Sequence, residues 1–210
     1  MSWLDRLRAR LFGYDNIEPE GVMPSGHQVP TSNENPPVTS VTPKTDDKIN
    51  AIPKTPERVL FVCSGNICRS AYGAVKFEQL LKDRNLSMRI ASAGTLRLVG
   101  RSVAPEMIAT AQEHGLDLTQ HRSSALSKPL IDAADVSFAM EHGHKLEIMR
   151  ICPDSEYRIV MLGQCLPTPK LEILDPMGHT PEIYREVANE IDLALENWLN
   201  STNVTKSEDA

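Results

Sequence analysis

Two cysteines and an arginine lie close together between an apolar run and a helical pattern, and their types and spacing suit phosphate chemistry. The apolar residues 59–62 lead into Cys63, and the chain continues as Ser-Gly-Asn-Ile-Cys-Arg-Ser to position 70. A loop that precedes a helix offers backbone N–H groups to an anion. Arg69 adds a planar guanidinium, which can donate two parallel hydrogen bonds to two oxygens of one phosphate. Such donors favour a thiolate at Cys63, so the sequence predicts a nucleophile beneath a bound phosphate.

The other residues of this segment can shape the loop. Gly65 is expected to allow backbone angles that a side chain would obstruct. Asn66 and Ser70 carry polar groups that can hydrogen-bond the loop into its conformation. Besides Cys63 and Arg69, the predicted phosphate-binding loop contains Ser64, Gly65, Asn66, Ile67, Cys68 and Ser70.

The same Cys-x5-Arg spacing recurs from Cys152 to Arg158, but in a different setting. Asp154 and Glu156 within that second match would repel an anion. It also contains no glycine, and it precedes an apolar run instead of following one. We interpret the second match as a coincidence.

The elements that must position the first loop alternate between strand and helix patterns. Apolar runs predict strands at 59–62, 88–93, 136–140 and 157–162. Helical spacing and helix-end signals predict helices at 71–84, 105–115, 126–133, 141–150 and 181–198, with Thr180 as a cap of the last. This order predicts an α/β fold, a single domain with a central four-stranded parallel sheet flanked by helices on both faces. Ligands bind at the carboxyl ends of such strands, where the loop after the first strand falls.

The chain as a whole divides into unlike parts. Residues 1–14 would be amphipathic as a helix, which favours either docking to a membrane surface or a protein, or a frayed terminus or a helix packed on its own domain. Residues 15–56 carry eight of the 15 prolines and are expected to form a disordered linker. The folded domain is expected at 57–200, and residues 201–210 are expected to form a flexible tail.

Composition excludes several classes of function. A net charge of −6 argues against general nucleic-acid binding. No apolar run is long enough to span a membrane, and no signal peptide follows Met1.

Because the loop cysteines must stay reduced, we expect a cytoplasmic protein. We expect no cofactor and no metal, and we interpret His142-Gly-His144 as a solvated helix start and not as metal ligands.

The segment from Cys63 to Ser70 resembles the phosphate-binding loop of the low-molecular-weight protein tyrosine phosphatases. Asp175-Pro176 resembles the general-acid loop of that family, and the similarity covers about residues 57–200. The resemblance implies a phosphoprotein substrate and a cysteinyl-phosphate intermediate. Cys63 would be the nucleophile, Arg69 would bind the phosphate and stabilise the transition state, and Asp175 would act as general acid and then base.

The resemblance also implies supporting roles for two further residues. Ser92, in the run Ser-Ala-Gly, would help to hold the loop rigid. Cys68 would form a reversible disulfide with Cys63 that protects the nucleophile from over-oxidation. The alternative is that Cys68 is a small residue that fills space at the helix start.

The sequence is compatible with two kinds of phosphorylated residue in the substrate. Met177-Gly178, with Tyr184 further on, resembles the bacterial branch that includes protein-arginine phosphatases, whereas the bulky, apolar Ile67 suits an aromatic leaving group. We therefore favour phosphotyrosine, with phosphoarginine as the alternative. A third hypothesis is thiol-dependent arsenate reduction, for which Cys152 and Cys165 could relay a disulfide. Those two cysteines are more widely spaced than in the reductases that the chain resembles.

Overall fold

The computed structural model describes residues 56–202 of the chain. The segment 1–14, the linker as far as residue 55 and the tail from residue 203 lie outside the described residues, so the expectations for them stay predictions. In the described part, parallel strands form a sheet in the order β2-β1-β3-β4. The strands are β1 (Arg58–Cys63), β2 (Arg89–Gly94), β3 (Val136–Ala139) and β4 (Ile159–Met161).

Helices connect the strands and follow the last of them. They are α1 (Arg69–Asp83), α2 (Pro105–Glu113), α3 (Lys128–Ala133), α4 (His142–Ile151) and α5 (Pro181–Ser201). Short 3-10 helices at Pro153–Arg158 and Leu162–Cys165 flank β4. The predicted α/β fold with a four-stranded parallel sheet is confirmed. Within residues 56–202, no helix combines the length and apolar character that crossing a membrane requires.

The side chains of β1 alternate between two cores, because successive residues of a strand point to opposite faces of the sheet. Val59, Phe61 and Cys63 join one core cluster, which packs against α1, α2 and α5. Leu60 and Val62 join the other, which packs against α3 and α4. Both faces of the sheet are therefore covered, and β1 lies at the centre of the molecule's packing.

The longest helix, α5, buries one side against the first core. Its buried residues recur at helical spacing, as predicted, and include Val187, Ile191, Leu195 and Trp198. Trp198 packs against Phe138, with ring centroids 5.0 Å apart. Thr180 occupies the N-cap position, as predicted, although its side chain makes no capping hydrogen bond.

The strand β4 and the helix α3 are shorter than the sequence pattern predicts. The apolar run 157–162 predicts a longer strand than β4, because 3-10 helices replace the strand on both sides. The pattern at 126–133 predicts a helix, but α3 begins two residues later. Leu126 donates its backbone N–H to the carbonyl of Gly94 (2.9 Å), which holds this stretch extended beside the end of β2.

The sheet order places a ligand site at the end of β1. From β1 the chain moves to β2 on one side and later to β3 on the other. Open parallel sheets bind ligands beyond the strand ends at such a reversal. Cys63, the last residue of β1, pairs in register with Gly94 of β2 and therefore lies at this position.

Candidate active site

The loop after β1 is held on two sides by backbone hydrogen bonds. Thr95 donates its N–H to the carbonyl of Cys63 (3.0 Å), and Ala104 donates to the carbonyl of Ile67 (2.9 Å). Helix α1 begins directly after the loop. The N–H groups of its first turn have no partners within the helix, so this end of α1 favours an anion.

Gly94, at the end of β2, lies directly beneath this loop. A Cβ atom at Gly94 would lie 2.7 Å from the carbonyl oxygen of Ser64 and 2.8 Å from the carbonyl carbon of Gly65. It would also lie 2.9 Å from the backbone nitrogen of Asn66. The loop can close over β2 at this distance only because position 94 has no side chain.

Asn66 adopts the left-handed backbone conformation within the loop, with φ 54°. Asparagine tolerates this conformation better than most residues, because its short polar side chain can hydrogen-bond locally. Gly65 has no positive φ, so the expectation that Gly65 supplies the unusual backbone angles is wrong. The left-handed residue of the loop is Asn66.

The side chain of Asn66 joins several parts of the site. Its Nδ2 donates to the hydroxyls of Ser70 and Ser92, both at 2.9 Å. Its Oδ1 accepts the backbone N–H of Ser124 at 2.8 Å. The carbonyl of Asn66 accepts a hydrogen bond from His121 Nε2 at 2.9 Å. Asn66 is fully buried, and these contacts fix the loop to β2 and to the segment before α3.

Cys63 lies beneath the loop with its sulfur next to polar donors. Its side chain is 2% exposed. The backbone N–H of Asn66 donates to Sγ at 3.2 Å, and Ser70 Oγ lies 2.9 Å from Sγ. Since Ser70 Oγ already accepts a hydrogen bond from Asn66, its proton is available to a Cys63 thiolate. This arrangement suits a nucleophilic sulfur.

Arg69 is buried and held rigidly beside the loop. Its side chain is 1% exposed. Nη1 donates to Glu141 and to the carbonyl of Ile173 (2.8 Å). Nη2 lies 3.5 Å from Ser64 Oγ. The Nε atom is buried and has no hydrogen-bond partner among residues 56–202. A phosphate oxygen would be a suitable acceptor for this N–H.

The charge of Arg69 is secured by its neighbours. Burial by itself lowers the pKa of Arg69, but the charges of Asp175, Cys63 and Glu141 outweigh burial and raise it. The guanidinium is therefore permanently cationic at the centre of the site, as binding of a phosphate dianion requires.

Asp175 reaches the site from the loop before α5. Its Oδ2 lies 2.6 Å from Arg69 Nη2, and a quarter of its side chain (25%) is exposed. Its Oδ1 accepts the backbone N–H of Met177 at 3.2 Å. Pro176 is buried, and the Tyr184 hydroxyl lies 3.8 Å from Met177 Sδ. These contacts dock the Asp175 loop on α5 and place a carboxylate opposite the phosphate-binding loop.

Glu141 and His144, at the start of α4, complete the surroundings of Arg69. Glu141 is the N-cap residue of a capping box: its carboxylate accepts the backbone N–H of His144, and His144 Nδ1 accepts the N–H of Glu141 at 3.0 Å. His144 Nε2 lies 3.0 Å from Ser64 Oγ. His142 is exposed, but His144 is 3% exposed. The interpretation of this pair as a solvated helix start is therefore wrong for His144.

Cys68 occupies the N-cap position of α1 at the end of the loop. It is buried, and all four cysteines of the chain are free. Burial, with the nearby Cys63 and Asp175, raises the pKa of the Cys68 thiol well above its ordinary value. The side chain is therefore a protonated thiol in this state.

The structure keeps Cys152 and Cys165 apart from each other. Cys152 packs in the second core cluster, and its Sγ lies 3.5 Å from Asp132 Oδ1. Cys165 packs against the first core cluster, on the other face of the sheet. Burial raises the pKa of Cys165 to about 12. This placement does not favour a disulfide relay between the two.

Most of the residues that the sequence singled out meet at one place. The loop residues from Cys63 to Ser70, together with Ser92 and Asp175, surround the end of β1. Sequence reasoning missed the roles of Glu141, His144 and His121. The Glu-x-x-His spacing at a helix start after β3 carried a signal for the first two. The loop around His121 carried none.

The loop after β1 carries a cysteine and an arginine, and a carboxylate lies opposite. These are the groups that a cysteine-dependent phosphatase needs. The family model described as low molecular weight phosphotyrosine protein phosphatase matches residues 58–209. The chain belongs to this family. The predictions of a family resemblance and of a phosphoprotein phosphatase are thereby confirmed.

Relatives within the family carry two kinds of name. A protein-arginine-phosphatase of Geobacillus stearothermophilus is 33% identical over 142 residues, which are 67% of this chain and 93% of that protein. A probable low molecular weight protein-tyrosine-phosphatase, AmsI of Erwinia amylovora, is 32% identical over 68% of this chain and 95% of that protein. The solved structure of Vibrio vulnificus Wzb in complex with benzylphosphonate has a TM-score of 0.63 and 30% identity. That match covers 69% of this chain and 98% of the solved chain.

Proposed function

We propose that this protein removes phosphoryl groups from phosphotyrosine in proteins through a cysteinyl-phosphate intermediate. The observation that carries the proposal is the arrangement at Arg69. Its buried guanidinium lies between the loop that holds Cys63 and the carboxylate of Asp175, which is 2.6 Å away, and its Nε has no acceptor in the described part of the chain. Nucleophile, phosphate-binding group and proton donor are thus gathered around one anion site.

In the first step, the Cys63 thiolate attacks phosphorus while the loop N–H groups and Arg69 bind the phosphoryl oxygens. The P–O bond to the leaving group breaks as the S–P bond forms, and the departing oxygen takes a proton from Asp175. In the second step, water attacks phosphorus and gives a proton to the carboxylate of Asp175. The S–P bond then breaks, which releases phosphate and restores the thiolate.

Asp175 has to release Arg69 in order to act as an acid. Phosphate oxygens that bind Nη2 and Nε compete with the carboxylate for the guanidinium, so substrate binding would free Asp175 for the leaving oxygen. We expect Asp175→Asn to lower kcat/KM for phenyl phosphate by roughly 100-fold or more. The loss should be smaller for p-nitrophenyl phosphate, because its leaving group needs less help from a proton. Equal losses on both substrates would contradict the acid role.

The wall of the site supports phosphotyrosine over phosphoarginine. The side chains of Ile67, in the loop, and Leu98 lie on the same side of Gly65. A Cβ atom at Gly65 would lie 3.1 Å from Ile67 Cγ1 and 3.7 Å from Leu98 Cδ1. Met177 adds a third apolar side chain next to Asp175. Apolar side chains suit a phenyl ring better than a guanidinium. The related Wzb structure was solved with benzylphosphonate, whose ring is also aromatic.

Phosphoarginine remains the second candidate, because a protein-arginine-phosphatase is among the relatives with the higher identities. The test compares two peptides of one sequence that carry phosphotyrosine or phosphoarginine. We expect wild type to favour phosphotyrosine by roughly 10-fold or more in kcat/KM. Ile67→Thr, which replaces the ethyl branch of the side chain by a hydroxyl, should lower this preference for phosphotyrosine. Faster hydrolysis of phosphoarginine by wild type would favour the alternative, and hydrolysis of neither would refute the phosphatase proposal.

Cys68 is proposed to protect the nucleophile. Peroxide oxidises the Cys63 thiolate to a sulfenic acid, and the Cys68 thiol condenses with it to form a disulfide and water. Support comes from the positions of both cysteines in one buried loop. After mild peroxide, mass spectrometry should find the Cys63–Cys68 bridge in wild type and sulfinylated Cys63 in Cys68→Ser. Sulfinylated Cys63 in wild type, without the bridge, would contradict this role.

We also propose a reducing compartment, such as the cytoplasm, as the site of action. The four free cysteines of the structure support this proposal, because Cys63 must be reduced to attack phosphorus. The partner that we propose is a phosphorylated protein. A docking role for residues 1–14 stays a prediction that liposome co-sedimentation with and without this segment would test.

A further inference from the structure

Ser64, the second residue of the loop, has a hydroxyl oxygen that lies close to two side-chain nitrogens of the site. Its Oγ lies 3.0 Å from His144 Nε2 and 3.5 Å from Arg69 Nη2, and the residue is 7% exposed. Arg69 Nη2 is a donor, whereas His144 Nε2 is a donor or an acceptor according to the tautomer of the ring. Among residues 56–202, Ser64 Oγ has no hydrogen-bond partner besides these two nitrogens.

The tautomer of His144 follows from its second contact. His144 Nδ1 accepts the backbone N–H of Glu141 at 3.0 Å, so Nδ1 carries no proton. The proton of the neutral ring is therefore on Nε2, which donates to Ser64. Burial, followed by the charge of Arg69, lowers the pKa of His144 to about 3, so the ring is neutral near pH 7. The direction of the hydrogen bond to Ser64 is thus fixed.

We propose that His144 is a positioning residue that acts through Ser64. By donating to Ser64 Oγ, it leaves the serine hydroxyl proton free to point at the anion that Arg69 binds. Ser64 then supplies an additional hydrogen-bond donor next to Nη2. This inference rests on the proposed phosphate chemistry of the loop, and it assigns a role to two side chains that the cysteine, arginine and aspartate mechanism does not use.

A purely structural role for His144 is the competing explanation, because the ring also completes the capping box of α4. Two substitutions separate these roles. His144→Asn places an amide oxygen near the position of Nδ1, which keeps the acceptor for Glu141 and loses the donor to Ser64. His144→Gln retains an amide that can donate to Ser64 and can also accept from Glu141, as glutamine does at this position of a capping box. The two explanations therefore differ for His144→Asn, which a purely structural role predicts to be active and the positioning role predicts to be impaired.

The experiment uses the reduced full-length chain and two readouts. Titration calorimetry measures the dissociation constant of inorganic phosphate, and steady-state kinetics on p-nitrophenyl phosphate give kcat and KM. We expect His144→Asn and Ser64→Ala each to weaken phosphate binding and to lower kcat/KM by about 10- to 150-fold, as for a lost hydrogen bond to a charged group. The double variant should be within about twofold of Ser64→Ala, since both changes remove the same contact. Ser64→Thr, which retains the hydroxyl, should be less impaired than Ser64→Ala, and His144→Gln should be less impaired than His144→Asn.

Two results for the variants would overturn the inference. One is a His144→Asn variant that is as active as wild type. The other is a double variant in which His144→Asn lowers kcat/KM as much on top of Ser64→Ala as it does alone. Thermal unfolding of each variant shows whether a loss reflects misfolding. Phosphate binding by wild type that weakens in the variants as expected, without hydrolysis of any phosphomonoester, would refute the proposed function and leave this inference standing. A wild type that does not bind phosphate would refute both.

Discussion

At the scale of single residues, Arg69 shows how one buried side chain can organise a site. It contacts Glu141 from the start of α4, the Ile173 carbonyl and Asp175 from the loop before α5. Its Nε is left without an acceptor in the described residues, and an unpaired buried donor costs roughly 1–3 kcal/mol. A bound phosphate would satisfy this donor, so the residue that recognises the substrate also links ligand binding to the stability of the fold.

His144 gives a prediction about acid stability at the same scale. Its pKa in the fold is about 3, lowered by burial and by the charge of Arg69, whereas an unfolded histidine titrates near 6.5. Between these values the unfolded chain binds one more proton than the fold, so the free energy of unfolding decreases as pH falls. This residue should contribute a slope of roughly 1.4 kcal/mol per pH unit below about pH 6.

Urea unfolding of wild type and His144→Asn at several pH values between about 7 and about 5 measures that slope. The variant should lose less stability on acidification, whatever its stability at pH 7. His142→Asn is the matched control, because His142 is exposed and its replacement should leave the wild-type slope unchanged. Parallel stability curves for wild type and His144→Asn would contradict the buried neutral state of His144.

At the scale of elements, β1, the loop and α1 could be predicted because their signals are local. The apolar run, the turn residues and the helical spacing follow one another within 25 residues of sequence (59–83). Within this stretch the prediction failed at Gly65, because Asn66 adopts the left-handed conformation instead. The positions of Asp175 and Ser92 could be predicted only through family resemblance. Contacts such as His121 to the Asn66 carbonyl depend on how distant segments pack, and no local pattern reports them.

The junction between the loop and β2 yields the prediction for this scale. Gly94→Ala puts a methyl group 2.7–2.9 Å from three backbone atoms of the loop, so the loop must move. We expect a loss of roughly 2 kcal/mol in the free energy of unfolding. We also expect a loss of at least roughly 10-fold in kcat/KM, because the donors around Cys63 are displaced.

Gly143→Ala is the control for this substitution. Gly143 lies in the first turn of α4, has no positive φ, and a Cβ there meets nothing within 4 Å. Alanine should be neutral or slightly stabilising at this helical position. Urea unfolding and p-nitrophenyl phosphate kinetics on both variants provide the comparison. An active and stable Gly94→Ala would show that the loop does not need its close approach to β2.

At the scale of the whole molecule, a cluster around Asp192 of α5 joins three helices. Its carboxylate accepts the hydroxyl of Tyr72 (2.9 Å) and lies 3.2 Å from Lys76 Nζ, both in α1. It also lies 2.9 Å from Nδ1 of His114, at the end of α2. Burial, reinforced by Asp192, raises the pKa of Tyr72, so the phenol remains a donor. The helices on the first core face are thus tied together by one half-buried carboxylate.

Asp192→Asn should therefore lower the free energy of unfolding by roughly 1–3 kcal/mol, since it weakens three charge-assisted contacts without changing the size of the side chain. The matched control is Glu113→Gln, which removes an exposed ion pair of Arg185 that also joins α2 to α5. Exposed pairs contribute little, so this variant should unfold like wild type. Equal urea midpoints for Asp192→Asn and Glu113→Gln would show that the cluster does not stabilise the fold.

The most direct test of the central claim is to look for the phosphorylated cysteine during turnover. Reduced wild type is mixed with p-nitrophenyl phosphate, quenched with acid and mapped by mass spectrometry, next to Cys63→Ser and Cys152→Ser. We predict one phosphoryl group on Cys63 in wild type and in Cys152→Ser, and no turnover in Cys63→Ser. Turnover that survives in Cys63→Ser, or a phosphoryl group on another residue, would contradict a mechanism in which Cys63 attacks the phosphate.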